Sequence, residues 1–166
     1  MSKAFSNQEL KKIYQVLKSF NEGLIINPNE ELELDYHNKV LIDKKGLAPI
    51  LNKIKKLLPE EESKEANKIV LRHKYDIFNS EVDENAYRII EKAFNNKKTV
   101  EIEYFDIDSA ETKKREIEVY HKTRRYVIAY CYLRKAMRKF RTSRIISAKI
   151  TNKSYVIPND FDKNKY

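Results

Sequence analysis

The sequence predicts an α+β protein in which an N-terminal helical segment precedes a small, strongly bent β-sheet or barrel. Two stretches before residue 60 carry apolar side chains at helical spacing, and a third amphipathic helix is predicted from Asp83. From residue 99 onward, about five short segments of alternating polar and apolar residues follow at close spacing. That succession is typical of a small all-β unit preceded by one helix.

The two N-terminal helices have recognisable boundaries. Ser6 and Glu9 match a capping box, so the first helix is predicted over residues 7–20 and ends at Glu22-Gly23. The second helix is expected to begin at residues 45–46 and to stop at Pro59, with an apolar stripe from Leu47 to Leu58. Both stripes are interpreted as faces that pack into a core or against a partner helix.

Extended structure is predicted between and after these helices. Residues 24–36 contain an Asn-Pro-Asn turn signal between apolar and alternating runs, which favours short strands or a hairpin. The acidic residues 60–65 are interpreted as a solvated connection, and residues 69–78 as a strand. The third helix, capped by Asp83, is expected to end at Asn95-Asn96.

The most informative stretch covers residues 122–146, where two predicted strands flank a short basic connection. In the first strand, residues 126–133, tyrosines alternate with small apolar residues, a pattern of a strand buried on at least one face. In the second, residues 138–145, one face carries Arg138, Phe140, Thr142 and Arg144, and the other carries Lys139, Arg141, Ser143 and Ile145. Residues 121–124 are predicted to form the tight turn that leads into this pair. Tyrosine and arginine on neighbouring strands could stack on a planar ring and neutralise a phosphate.

Positive charge is concentrated in the same part of the chain. The net charge of the whole chain is +9, yet residues 113–144 contain twelve Lys and Arg against only Glu116 and Glu118. Basic excess confined to a small part of a chain indicates an anionic partner, such as nucleic acid or a nucleotide-like ligand. The alternative is a solvated basic face.

Several protein classes are excluded or disfavoured. The lone Cys131 excludes an intramolecular disulfide and a cysteine-built zinc site, and it is expected to be a core residue. With only two glycines, the chain has no phosphate-cradling loop, and no metal or other cofactor is expected. No apolar run approaches the ~18 residues of a membrane span, and the N-terminus has no signal-peptide core. A cytoplasmic protein without a membrane association is therefore expected.

The C-terminal half resembles the WYL domain of bacterial regulators. The family is named for a Trp-Tyr-Leu triplet, which reads Arg125-Tyr126-Val127 here, followed by the matching run Ile128-Ala129-Tyr130-Cys131. The family element Arg-x-Phe-Arg-x-x-Arg-Ile corresponds to residues 138–145, with Ser143 where the family usually has Asp. The similarity covers about residues 83–158.

The resemblance implies an Sm-like β-barrel over residues 81–158 that senses nucleic acid or a nucleotide-like ligand. Residues 1–80 would form a helical and extended segment that supports a homodimer, and residues 159–166 a charged tail. The family pattern implies ligand contacts by Tyr126, Arg138, Arg141 and Arg144. Secondary candidates are Arg124, Arg125, Tyr130 and His121.

The winged helix-turn-helix that precedes such domains in many regulators is not evident before Asp83. Either the chain is part of a longer regulator, or it is a stand-alone form that works with a separate DNA-binding or effector protein, which Met1 slightly favours. A role in transcriptional regulation or control of a bacterial defence system is therefore expected.

Two other functions stay open at this point. The basic domain could be an accessory subunit that docks on an acidic protein. Alternatively, Glu101, Glu103, Asp106 and Asp108 could serve a metal-dependent nuclease. Acids that alternate along a strand are ordinarily its solvated side, and no Ser/His/Asp or Cys/His arrangement is present. A non-enzymatic binding module is therefore the leading expectation.

Overall fold

The computed structural model describes residues 5–24, 44–76 and 81–166. The chain divides into two compact units, Met1–Asn79 and Ser80–Tyr166. Within the described residues, the first unit contains three helices: α1, Asn7–Asn21; α2, Lys44–Leu57; and α3, Glu60–Lys74. The second contains α4, Glu84–Asn95, and a five-stranded antiparallel sheet. The α+β class is confirmed.

The first unit has its own hydrophobic core. Leu10 and Tyr14 of α1 are buried with Leu47 and Leu51 of α2 and with Ala66 of α3. The Tyr14 hydroxyl donates a hydrogen bond to Asn67 Oδ1 at 2.8 Å, so the buried ring keeps a partner for its polar end. The predicted capping box is present, with Ser6 and Glu9 each accepting from the other's backbone N–H.

The predictions for residues 60–78 were wrong where the structure describes them. Residues 60–74 form helix α3 rather than a solvated connection followed by a strand. The acidic run occupies the first turn of α3, and the last turn contains Arg72, His73 and Lys74. The helix dipole favours this order of charges. The buried residues of α3 are Ser63, Ala66 and Val70, mostly small side chains that left little hydrophobic periodicity to read. The strands predicted over residues 24–36 lie, beyond Leu24, outside the described residues.

In the second unit, α4 begins and ends as predicted. The Asp83 carboxylate accepts a hydrogen bond from the Ala86 N–H at 2.8 Å, and Asn96 follows the last helical residue. The strands are β1, Lys98–Asp106; β2, Glu111–Lys122; β3, Tyr126–Cys131; β4, Ala136–Arg141; and β5, Ile145–Ser154.

The sheet has the order β4-β3-β2-β1-β5, and α4 packs on one of its faces. Ile90 and Ala93 of α4 form a core with strand residues that point to the same side, including Ile102, Val119 and Val127. The expected Sm-like barrel is not confirmed. Strands β4 and β5 are the two edges of the sheet, and no pairing between them closes it within the described residues.

Three features of the basic region differ from the prediction. Residues 138–145 are not one strand, because a 3-10 turn, Thr142–Arg144, separates β4 from β5. His121 lies in β2, opposite Ile128 of β3, rather than in the turn. In addition, β3 ends at Cys131, so Tyr132 and Leu133 belong to the turn that leads to β4.

Candidate functional site

Basic side chains line a pocket of about 230 Å³ in the second unit. Its walls come from the end of β1, the turn that follows β1, strand β2, the turn between β3 and β4, strand β4 and the 3-10 turn. The basic residues that line it are Arg115, Arg134, Arg138, Lys139 and Arg144. Asp106 and Asp108 are the acids among its lining residues, so positive charge predominates.

Arg115 is the buried charge of this site. Its side chain is 5 % exposed, and its Nη2 donates to Asp106 Oδ2 at 3.0 Å. The Asp106 carboxylate in turn accepts from the N–H groups of Asp108 and Ser109, which ties the ion pair to the turn after β1. Arg115 Nε has no hydrogen-bond partner within the described residues. A buried donor without an acceptor is unfavourable, and the ion pair with Asp106 is what keeps the Arg115 guanidinium in this position.

Aromatic rings complete the pocket. Phe140, which is 3 % exposed, packs edge-on against Tyr104 with 5.1 Å between the ring centroids. The Tyr104 ring lies 5.8 Å from the guanidinium of Arg115, and its hydroxyl accepts from the Arg141 N–H at 3.4 Å. The pocket therefore combines guanidinium groups with an apolar aromatic surface, as sites for phosphorylated ligands do.

The 3-10 turn brings two of the predicted arginines to one pocket. Arg138 lies on β4, whereas Arg144 lies in the turn after it. The turn is held by the Thr142 N–H, which donates to the Arg125 carbonyl at 3.0 Å. A continuous strand would have carried Arg144 away along the sheet edge, whereas the turn redirects the chain.

Arg115, Arg134 and Tyr104 were not identified as site residues from the sequence. For Arg115 a signal was present: strand alternation places it on the same side of β2 as Ile117 and Val119. A charged residue on the apolar side of a strand indicates a buried ion pair or a ligand contact. Arg134 and Tyr104 had no comparable signal, because their position depends on how the turn and β1 approach β4.

Tyr126 and Arg125 lie in a second cluster, on the side of β3 and β4 that faces away from the core. The Arg125 guanidinium lies 5.4 Å from the centroid of the Tyr126 ring, and Lys139 Nζ lies 4.9 Å from the same centroid. Lys139 Nζ also donates to the Tyr166 backbone oxygen at 2.9 Å. Arg141 pairs with Tyr126 in the sheet, and its Nε donates to Ser143 Oγ at 3.0 Å. Lys139 also lines the pocket, so it connects the two clusters.

The remaining candidates lie apart from the pocket. Arg124 forms an ion pair with Glu84 of α4, and that hydrogen bond raises the pKa of the Arg124 guanidinium. The ring of Tyr130 packs edge-on against Tyr132 with centroids 5.6 Å apart, and His121 is half-buried in β2. Their roles as ligand contacts stay predictions.

The four acids of the nuclease alternative do not converge. Glu103 accepts a hydrogen bond from Ser147, and Asp106 is held by Arg115. In the described ranges, no group of three or more His, Cys, Asp or Glu side chains could hold a metal ion. None of the helices that the structure describes is both long and apolar enough to span a bilayer.

Comparisons with known proteins identify the second unit. Residues 85–150 match the WYL domain family, whereas no curated protein matches the chain. Among solved structures, the chain is similar to proteasome accessory factor B/C of Arthrobacter aurescens. The sequence identity is 17% and the TM-score 0.38, and the alignment covers 90% of this chain but 21% of that protein. This chain therefore spans about a fifth of that protein's length.

The family match covers α4, β1 to β4, the 3-10 turn and part of β5, and thus includes every residue that lines the pocket. Residues 85–150 of this chain therefore form a WYL domain.

Proposed function

We propose that this WYL domain is a ligand-sensing regulatory module that binds single-stranded nucleic acid or an oligonucleotide. The observation that carries the proposal is the pocket in which Arg134, Arg138 and Arg144 surround the buried Arg115. Guanidinium groups grip phosphate through two parallel hydrogen bonds, and the rings of Tyr104 and Tyr126 offer surfaces for a sugar or base.

The distribution of ion pairs supports this assignment. Two basic residues at the turn between β2 and β3 form ion pairs with α4: Lys122 pairs with Glu91, and Arg124 pairs with Glu84. Within the described part of the chain, Arg134 and Arg138 have no ion pair, and both side chains are exposed. The charges of Arg134 and Arg138 therefore remain available for an anionic partner at the pocket.

Binding of labelled single-stranded DNA and RNA, measured by fluorescence anisotropy at several salt concentrations, tests the proposal. We expect affinity to fall steeply as salt rises, because each neutralised phosphate releases a counterion. The variant Arg134→Gln/Arg138→Gln should lose at least about tenfold in affinity at fixed salt. The variant Arg88→Gln/Lys149→Gln removes the same charge from exposed positions outside the pocket, and it should bind nearly as the unmodified protein does.

Equal losses in both double variants would mean that net charge alone drives binding. No binding of either polymer would overturn the proposal and favour the accessory role, in which the basic surface docks on an acidic protein. The domain is proposed to act by binding rather than by catalysis, within transcriptional regulation or control of a defence system.

A homodimer formed by residues 1–80 is also proposed. Exposed apolar side chains on α1 and α2, namely Val16, Ile50 and Leu57, support it. Light scattering coupled to size exclusion measures the mass directly, and a monomer at micromolar concentration would contradict the proposal.

A further inference from the structure

The size of the pocket limits what can enter it. At about 230 Å³ it is smaller than the roughly 300–1,000 Å³ of sites that enclose a whole small-molecule ligand. Two of its lining residues are almost completely buried: Arg115 is 5 % and Phe140 3 % exposed. A group that reaches them must therefore leave the surface. A phosphate inside a strand has a sugar on each side, whereas a terminal phosphate has one attachment and can enter a recess.

The donors of the pocket match a group with high negative charge. Arg134 and Arg138, which are exposed, and the half-buried Arg144 supply guanidinium donors, and Arg115 adds a fourth guanidinium to the lining. A phosphate monoester carries about −1.5 to −2 charges at neutral pH and offers three terminal oxygens. A diester within a strand carries one charge and two such oxygens, so it satisfies fewer of these donors.

Asp106 does not oppose an anion in this position. Its Oδ2 accepts from Arg115, and its Oδ1 accepts from the N–H groups of Asp108 and Ser109. The carboxylate is thereby neutralised and holds Arg115 in place for a further partner. Apart from this ion pair, the charged residues that line the pocket are one acid, Asp108, and four bases: Arg134, Arg138, Lys139 and Arg144.

We propose that the pocket binds the terminal phosphate monoester of a single-stranded nucleic acid, so that the domain recognises strand ends. The inference rests on the proposed function and specifies its ligand. The rest of the strand would then run over the rim of the pocket, where Lys139 leads to the ring of Tyr126. A phosphate at the 5′ end and one at the 3′ end share this chemistry, and the experiment separates them.

The test compares three oligonucleotides of one sequence, with a 5′-phosphate, a 3′-phosphate or no terminal phosphate. Each competes, unlabelled, against one internally labelled strand that is bound to the full chain at fixed salt. We expect one phosphorylated form to bind at least about tenfold more tightly than the form without a terminal phosphate. The other phosphorylated form should gain no more than about threefold, the scale expected for an added charge that lies outside the pocket.

The pocket variant Arg134→Gln/Arg138→Gln should lose this end preference, while Arg88→Gln/Lys149→Gln should keep it. Circular dichroism and thermal unfolding establish that both variants are folded. Equal affinity for all three oligonucleotides, with steep salt dependence, would overturn the end recognition and leave the proposed function intact. An end preference that survives in the pocket variant would overturn the assignment to this pocket. No binding of any form would overturn both.

Discussion

Tyr155 joins parts of the WYL domain that are distant in sequence. It follows β5, is 6 % exposed, and its N–H donates to the Lys97 carbonyl at 3.0 Å. Its hydroxyl donates to the carbonyl of Val119, the residue next to the irregularity in the pairing of β2 with β3. The hydroxyl thereby satisfies a buried backbone acceptor where the regular ladder is interrupted.

Replacing this hydroxyl should therefore weaken the domain. We expect Tyr155→Phe to lower the free energy of unfolding by about 1–3 kcal/mol, because the Val119 carbonyl stays buried and loses its donor. Urea-induced unfolding followed by circular dichroism measures the change. Tyr132→Phe is a suitable control: its hydroxyl donates to Glu118 but the side chain is exposed, so a change within about 0.5 kcal/mol is expected. Equal effects of the two substitutions would contradict this account.

The same tyrosines predict how stability depends on alkaline pH. Burial and then the nearby Glu118 carboxylate raise the pKa of Tyr155 to about 12, and a hydrogen bond to Glu118 followed by burial raises the pKa of Tyr132 to about 12. In the unfolded chain both would titrate near pH 10. The folded state retains these protons longer, so their stabilisation is complete below pH ~10 and is lost as pH rises toward ~12.

Urea unfolding between pH 9 and 12 should show this decline, and absorbance titration of tyrosinate should show late-titrating groups that vanish in urea. Tyr155→Phe should decline less steeply than the unmodified protein. A free energy of unfolding that is flat across this range would exclude the raised pKa values.

At the scale of elements, the turns of the sheet use unusual residues. Lys97, Ala110 and Lys135 have positive φ angles of 50°, 53° and 50°, in the left-handed region that glycine adopts most easily. These residues lie in the turns that lead into β1, β2 and β4. The chain contains only two glycines, so these turns form without the residue that usually marks them.

One of these turns can be improved. Lys135 is exposed, and we expect Lys135→Gly to raise the free energy of unfolding by about 0.5–1 kcal/mol, since it relieves the left-handed strain. Lys135→Ala removes the same charge but keeps the Cβ atom, and it should give no gain. Chemical denaturation at matched salt distinguishes the two. A gain from alanine equal to that from glycine would assign the effect to charge rather than to backbone strain.

These turns also explain which elements could be predicted. Ser6 and Asp83 were recognisable helix starts, because the hydrogen bonds of a cap are formed within three residues. The end of β3 at Cys131 could not be recognised from the sequence, since Tyr132 and Leu133 continue the apolar pattern into a turn that contains no glycine. The 3-10 turn at residues 142–144 was missed for the same reason: it contains neither glycine nor proline.

The site was only partly predictable because it depends on packing between elements. The local excess of basic residues identified the region, and Arg138 and Arg144 do line the pocket. The pocket itself exists because β1 carries Tyr104 next to Phe140 of β4, a contact between residues far apart in the sequence. Sequence alternation alone placed Arg138 and Arg144 on one strand, whereas the structure brings them together across a turn.

At the scale of the whole molecule, each of the two units has a core of its own. The core of Ser80–Tyr166 is built by α4 and the sheet, with twelve buried residues that include Ile90, Ile102 and Phe140. The core of Met1–Asn79 is built by α1, α2 and α3. A unit with its own hydrophobic core can fold alone. Many domains of about 60 residues fold independently, so the length of the second unit is sufficient.

We therefore expect a fragment of residues 80–166 to fold and to keep the binding activity of the full chain. It should unfold cooperatively in urea and bind single-stranded oligonucleotides within about threefold of the full chain at matched salt, because every residue that lines the pocket is retained. If residues 1–80 form the dimer, the fragment should be monomeric by light scattering while the full chain is dimeric. A folded fragment that binds far more weakly would show that the N-terminal unit, or the avidity of a dimer, contributes to ligand binding. An unfolded fragment would show that the core around α4 is insufficient without residues 1–79.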